Sequence, residues 1–117
     1  MEQPKYDLED GTYEFAKNVR LFISSLPKTL QTIEDAKQLV RSSGSVGANY
    51  IEANEALSKK DFLMRVKICR KEAKESSYWL RLIKDTHDLE NCDHTDKLIQ
   101  ESTELKKIFS AIIDKSR

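Results

Sequence analysis

Five cationic side chains recur along one stretch of the chain: Lys60, Lys67, Lys71, Lys74 and Arg81, with Arg70 and Lys84 close by. Steps of seven, four and three return to the same face of a helix. The row therefore presents ammonium and guanidinium groups along one outward stripe. Such a stripe neutralises phosphates and releases their counterions, which is the chemistry of contact with RNA or DNA. Tyr78 and Trp79 stand beside it and offer rings on which bases stack. Each feature has a plainer reading. A solvated bundle helix also carries basic stripes, with Glu72 and Glu75 forming ordinary i,i+3 and i,i+4 pairs with neighbours in the Lys71 turn. Adjacent aromatics on such a helix usually pack, and Trp79 is expected near a surface between subunits.

Other chemistry-bearing residues combine less well. Glu52 and Glu55 fall on one helix and Glu72 and Glu75 on the next. A carboxylate-bridged di-metal bundle also needs Glu-x-x-His pairs, and neither helix has a histidine at that spacing. His87, Cys92 and His94 cluster loosely in sequence. A zinc site there needs a fourth ligand from Asp88, Asp93 or Asp96, whereas structural zinc sites show tighter ligand pairs. No Ser–His–Asp arrangement, phosphate-binding loop or Gly-rich strand-to-helix turn is present. No enzyme activity and no cofactor are expected.

The elements that position these residues are helices. The chain has 117 residues with only three Gly and two Pro, a length that suits one domain. Folding at this size buries about two-thirds of the extended chain's surface, enough for a core without disulfides or metal. Four segments show helical period and none shows strand alternation. The first spans about residues 8–25, with Phe15, Val19, Phe22 and Leu26 on its apolar face; Pro27 then pushes Leu26 out of the helical region. The second spans about 29–57. The third spans about 59–86, opened by Ser58 as N-cap with Asp61 at the third helical position. Phe62, Val66, Cys69, Ala73, Ser76, Leu80 and Ile83 form its stripe. After a polar loop from His87 to His94, Asp93 or Thr95 caps the fourth helix, about 95–115, with Leu98, Ser102, Leu105, Phe109 and Ile112. Short loops imply antiparallel neighbours, and the heptad-like step suits shallow crossing angles. The fold class expected is an all-α, antiparallel up-and-down four-helix bundle.

The second helix carries an unusual run. Leu39, Ser43, Val46, Tyr50, Ala53 and Leu57 share a face, while Ser42, Gly44, Ser45, Gly47 and Ala48 are small. Each mid-helix glycine costs roughly 1 kcal/mol relative to alanine, so a close neighbour is expected to require it. Gly44, Gly47, Ala48, Asn49, Tyr78 and Trp79 are read as helix-packing or oligomer-interface residues. Asn49 and Asn54 are placed to hydrogen-bond across the bundle or between subunits. Apolar residues off the main stripes, Ile51, Met64, Ile68, Tyr78, Trp79 and Leu82, exceed what one bundle buries and point to self-association.

Net charge is zero, from 20 basic and 20 acidic side chains, so no global field draws nucleic acid or membrane. The distribution is uneven, however: residues 58–85 hold 9 basic and 4 acidic side chains. Cys69 falls on an apolar stripe and is expected to be a reduced, buried thiol. The first ten residues are polar and acidic, unlike a secretory signal. No apolar run approaches the ~20 residues of a membrane span, and a cytoplasmic location is expected.

The segment Gln38-Leu-Val-Arg-Ser-Ser-Gly-Ser-Val-Gly-Ala-Asn49, followed by Glu52-Ala53, Ser58-Lys-Lys-Asp-Phe62 and Glu75-Ser-Ser-Tyr-Trp-Leu-Arg-Leu-Ile-Lys-Asp85, resembles a family of four-helix-bundle proteins. Its members were first noticed as open reading frames in intervening sequences of bacterial 23S ribosomal RNA genes. Phe15 and Leu26-Pro-Lys-Thr29 also look like that family's first helix and turn, and the likeness covers roughly residues 6–115. It implies an up-down-up-down bundle assembled as a homopentamer. It also implies kinship with the accessory variability proteins of diversity-generating retroelements, which bind a reverse transcriptase and contact nucleic acid through a basic surface. The function expected is a non-enzymatic oligomeric module touching RNA or DNA through Lys60, Lys67, Arg70, Lys71, Lys74 and Arg81. The alternative is a protein-interaction scaffold, such as a reverse-transcriptase accessory subunit.

Overall fold

The structure, a computed structural model, describes residues 7–87 and 92–116. The polar loop expected after His87 falls partly, at residues 88–91, outside the described residues, and Asp88 with it. Four helices make up the described chain: α1 (Leu8–Ser24), α2 (Leu30–Asn54), α3 (Lys59–Thr86) and α4 (Asp93–Lys115).

Each start has a local chemical cause. Asp7 accepts from the backbone N–H groups of Glu9 and Asp10, at 3.0 and 3.3 Å, and opens α1. Thr29 Oγ1 accepts from the Thr32 N–H at 3.3 Å and opens α2. Ser58 Oγ accepts from the Asp61 N–H at 3.1 Å and opens α3. These side-chain acceptors satisfy amide donors that no helical carbonyl can reach. At α4 neither Asp93 nor Thr95 is the cap. The helix begins at Asp93, Cys92 takes the cap position without a side-chain bond, and Asp93 and Asp96 lie in the first turn. Two carboxylates at the positive end of the helix dipole favour this earlier start.

The end of α2 also differs from its apolar period. The helix stops at Asn54, and Leu57 is 98% exposed rather than part of the stripe. Ser58 must be extended to cap α3, so residues 55–57 are taken up by the chain reversal. The cap outweighs one leucine's place in the seam.

Packing runs around a ring: α1 lies on α2 and α4, and α3 lies on α2 and α4. Along α2 and α3, Thr32 meets His87, Ser42 meets Ser76, and Asn49 meets Arg65. Along α3 and α4, Ser77 meets Ser102 and Lys84 meets Asp96. On α1, Glu9 meets Asn54 and Arg20 meets the Val40 carbonyl. In every pair the number rises on one helix as it falls on the other. The core between them is Phe15, Val19 and Phe22 of α1, Leu39 and Val46 of α2, Val66, Cys69, Leu80 and Ile83 of α3, and Leu98, Leu105, Phe109 and Ile113 of α4. On α4 the innermost residue of the last turn is Ile113; Ile112 is only half-buried. Serines 42, 76 and 102 are fully buried. Their small volume lets helices approach, and each hydroxyl also bonds a carbonyl in its own helix, so no donor is stranded. Burial pushes the Cys69 thiol up to about 12, which keeps it protonated and unreactive.

Candidate nucleic-acid interface

α3 has two faces of opposite character. Val66, Cys69, Ala73, Ser76, Leu80 and Ile83 are buried. Lys60, Met64, Lys67, Lys71, Lys74, Tyr78 and Arg81 recur at steps of four and three, and all seven are exposed. The stripe is straight along the helix because steps of three and four average 3.5, close to the helical period.

Glu72 and Glu75, the acidic residues in the middle of α3, are engaged away from this stripe. Glu72 is only 5% exposed. Arg41 of α2 donates one guanidinium nitrogen to Glu72 Oε2 at 3.1 Å and another to Glu75 Oε2. Trp79 Nε1 also donates to Glu75 Oε2, at 3.0 Å. The two glutamates therefore do not form the helix-surface pairs with the Lys71 turn that sequence spacing suggests. Lys71 Nζ reaches Glu72 Oε1 only at 4.0 Å. Among the described residues, no carboxylate pairs with Lys67, Arg70, Lys74 or Lys106.

Lys67, Arg70, Lys71 and Lys74 converge with Lys106 and Ser110 of α4 around an open groove of about 400 Å³. Lys60 and Arg81 lie outside it on the same stripe. Lys84 is removed from the basic set by its bond to Asp96 Oδ1 at 2.6 Å; that bond is the main reason its ammonium is held above the ordinary lysine value. Sequence reasoning missed Lys106 and Ser110. The signal was the Lys106-Lys107 doublet on the flank of the α4 stripe, but only the register set by Ser77 and Ser102 brings it level with Ala73 and Lys74.

The two glycines of the α2 small-residue run face α1. A Cβ on Gly47 would stand 2.9 Å from Thr12 Oγ1 and 3.3 Å from Thr12 Cβ, and one on Gly44 would stand 3.1 Å from the Arg20 guanidinium. Ala48 is exposed. Asn49 donates to the Ser45 carbonyl and hydroxyl, both at 2.9 Å, and accepts from Arg65 at 3.0 Å. It thus ties α2 to α3. Trp79 is half-buried and packs against the core, while Tyr78 is exposed. His87 is taken up at the end of α3, where its Nδ1 donates to the Ile83 carbonyl at 2.9 Å and its Nε2 meets Thr32 Oγ1. His94 lies edge-on to Phe22, with ring centroids 5.2 Å apart. Among the described residues, no three His, Cys, Asp or Glu side chains come together as a metal-binding group. No helix among them is long and apolar enough to cross a membrane.

Four amphipathic helices around one core, with a row of cations on the outer face of α3, define an all-α helical-bundle protein. The chain matches the family of 23S rRNA-intervening sequence proteins over residues 6–111, and it belongs to that family. It is similar to a crystal structure from Bacteroides thetaiotaomicron, described as a protein of unknown function from the S23 ribosomal protein family. The two share 31% sequence identity with a TM-score of 0.80, over 92% of this chain and 98% of the other. No curated protein matches it.

Proposed function

We propose that the chain is a non-enzymatic, oligomeric bundle protein whose outer α3 face contacts the phosphate backbone of RNA or DNA. The observation that carries this reading is the separation of charge across α3. Glu72 and Glu75 are held by Arg41 on the α2 side, which leaves Lys67, Arg70, Lys74 and Lys106 of the α3–α4 groove without a paired carboxylate among the described residues, and Lys71 with only a 4.0 Å contact to Glu72. A chain of zero net charge lacks a long-range field, yet a local cluster of one sign in a groove still concentrates anions.

The falling and rising residue numbers across each helix pair support an antiparallel, up-and-down arrangement. Self-association is supported by apolar surface left uncovered. Ile33 lines an apolar groove of about 440 Å³ with Leu26, Pro27, Ala36 and Val40, and Leu30 beside it is 77% exposed. Five copies is the number that the resemblance in sequence implies, and a ring of five would repeat the cationic row into a belt. A cytoplasmic location accords with such a partner.

Reversing three charges tests the proposal. The Lys67→Glu, Lys71→Glu, Lys74→Glu variant is expected to lose about tenfold or more in affinity for a labelled RNA or DNA oligonucleotide, with an unchanged native mass. Undiminished binding would sink the reading. The second reading, a scaffold for a protein such as a reverse transcriptase, is favoured by the apolar groove between α1 and α2. It predicts that this variant still captures the polymerase, whereas Ile33→Glu does not.

A further inference from the structure

Two uncharged side chains interrupt the cationic row of α3 at its own spacing. Met64 sits between Lys60 and Lys67, and Tyr78 sits between Lys74 and Arg81; they are 49% and 55% exposed. Tyr78 stands about 6 Å along the helix axis from Lys74 and about 4.5 Å from Arg81. The fold uses the neighbouring aromatic and not this one. Trp79 packs against the core and donates to Glu75. The Tyr78 ring crosses Trp79 at 78° with centroids 5.0 Å apart, a contact that braces the ring while more than half of the residue stays in solvent.

Building on the proposed phosphate contact, we infer that the ligand of this face is a single-stranded nucleic acid, with phosphates on the α3 cations and one base stacked on Tyr78. A duplex offers phosphates but keeps its base faces inside the stack, so an exposed ring at cation spacing gains nothing from it. A single strand offers both backbone charge and free base faces. Lys106 on the far wall of the groove grips the same backbone from the α4 side. The span from Lys67 to Arg81 is about 21 Å, room for about six nucleotides at the ~3.4 Å stacked spacing.

Fluorescence anisotropy with four labelled probes tests this: a short mixed-sequence single strand in ribo and deoxy forms, the deoxy strand with abasic sites, and its duplex. The wild type is expected to prefer either intact single strand over the duplex. Tyr78→Ala should weaken binding of the intact strands about tenfold and leave the abasic strand and duplex unchanged, while Tyr78→Phe retains wild-type affinity. The Lys67→Glu, Lys71→Glu, Lys74→Glu variant should weaken all four. If Tyr78→Ala binds the intact strands as the wild type does, or loses duplex equally, the stacking role is overturned while the phosphate contact stands. If the wild type binds none of the probes, both are overturned.

Discussion

Arg41 decides what α3 can present. Its guanidinium spans Glu72 and Glu75, and a planar fork suits two carboxylates better than a lysine point charge would. Without it, the Glu72 carboxyl loses its strongest hydrogen-bond partner in a site only 5% exposed. Arg41→Met is therefore expected to cost about 1.5–3 kcal/mol, the range for a lost hydrogen bond to a charged group. Chemical denaturation measures this, and adding Glu72→Gln should restore most of the loss; a double variant no better than the single would contradict the pairing. This residue pair shows where sequence reasoning stops. Glu72 sits beside Ala73 on the edge of the α3 stripe and reads as a surface residue. Its partner is 31 positions earlier, and only the register of α2 on α3 brings them together. The cationic stripe was legible because it repeats within one helix. The reason Glu72 and Glu75 are drawn off it was not, because that reason lies on another.

At the scale of elements, close approach is the controlling variable. α1 meets α2 where Gly47 leaves room for Thr12, and the sequence announced this through glycines in a helix that otherwise has no use for them. Gly47→Leu is expected to destabilise by about 1–3 kcal/mol, the usual cost of overpacking. Ala48→Leu, one residue along on the exposed face, should lie within about 0.5 kcal/mol of wild type; thermal melts of the two compare them directly. Helix ends were less legible than helix faces, since α2 gives up Leu57 and α4 starts ahead of its expected caps. At the end of α2 the reversal into Ser58, and at the start of α4 the two carboxylates of the first turn, set the boundary rather than the apolar period.

The seam between α1 and α4 is looser. A cleft of about 530 Å³ opens there, with Phe15, Leu105 and Ile108 on its floor and Glu101 on its wall. Burial pushes the Glu101 carboxyl above the ordinary value of 4.5, against the pull of Lys97 and His94. The folded protein therefore holds this proton more tightly than the unfolded chain does. Stability falls as pH rises from 4.5 through the raised folded value. Glu101→Gln should raise the melting temperature at neutral pH, with the gain vanishing below pH 4.5, where both states are protonated. An equal gain at every pH would assign the effect to packing instead.

For the whole molecule, a thin bundle of 45 × 35 × 19 Å leaves apolar side chains such as Tyr13, Leu21, Leu30 and Ile33 in contact with water. Light scattering is expected to report a mass several times that of one chain, and Leu30→Glu with Ile33→Glu to reduce it. A monomer at every concentration would refute self-association. The proposed assembly would repeat the cationic face and so raise the local charge that a neutral chain cannot supply as a whole. The most direct measurement is the salt dependence of binding to a single-stranded oligonucleotide. The five groove cations, Lys67, Arg70, Lys71, Lys74 and Lys106, predict that log affinity falls against log salt with a slope of about −3.5, steeper by about 0.7 where Arg81 also engages, and that each Lys→Ala change in the groove removes about 0.7 from its magnitude. A slope near zero, or one that these substitutions leave unmoved, would contradict a phosphate-binding face on α3.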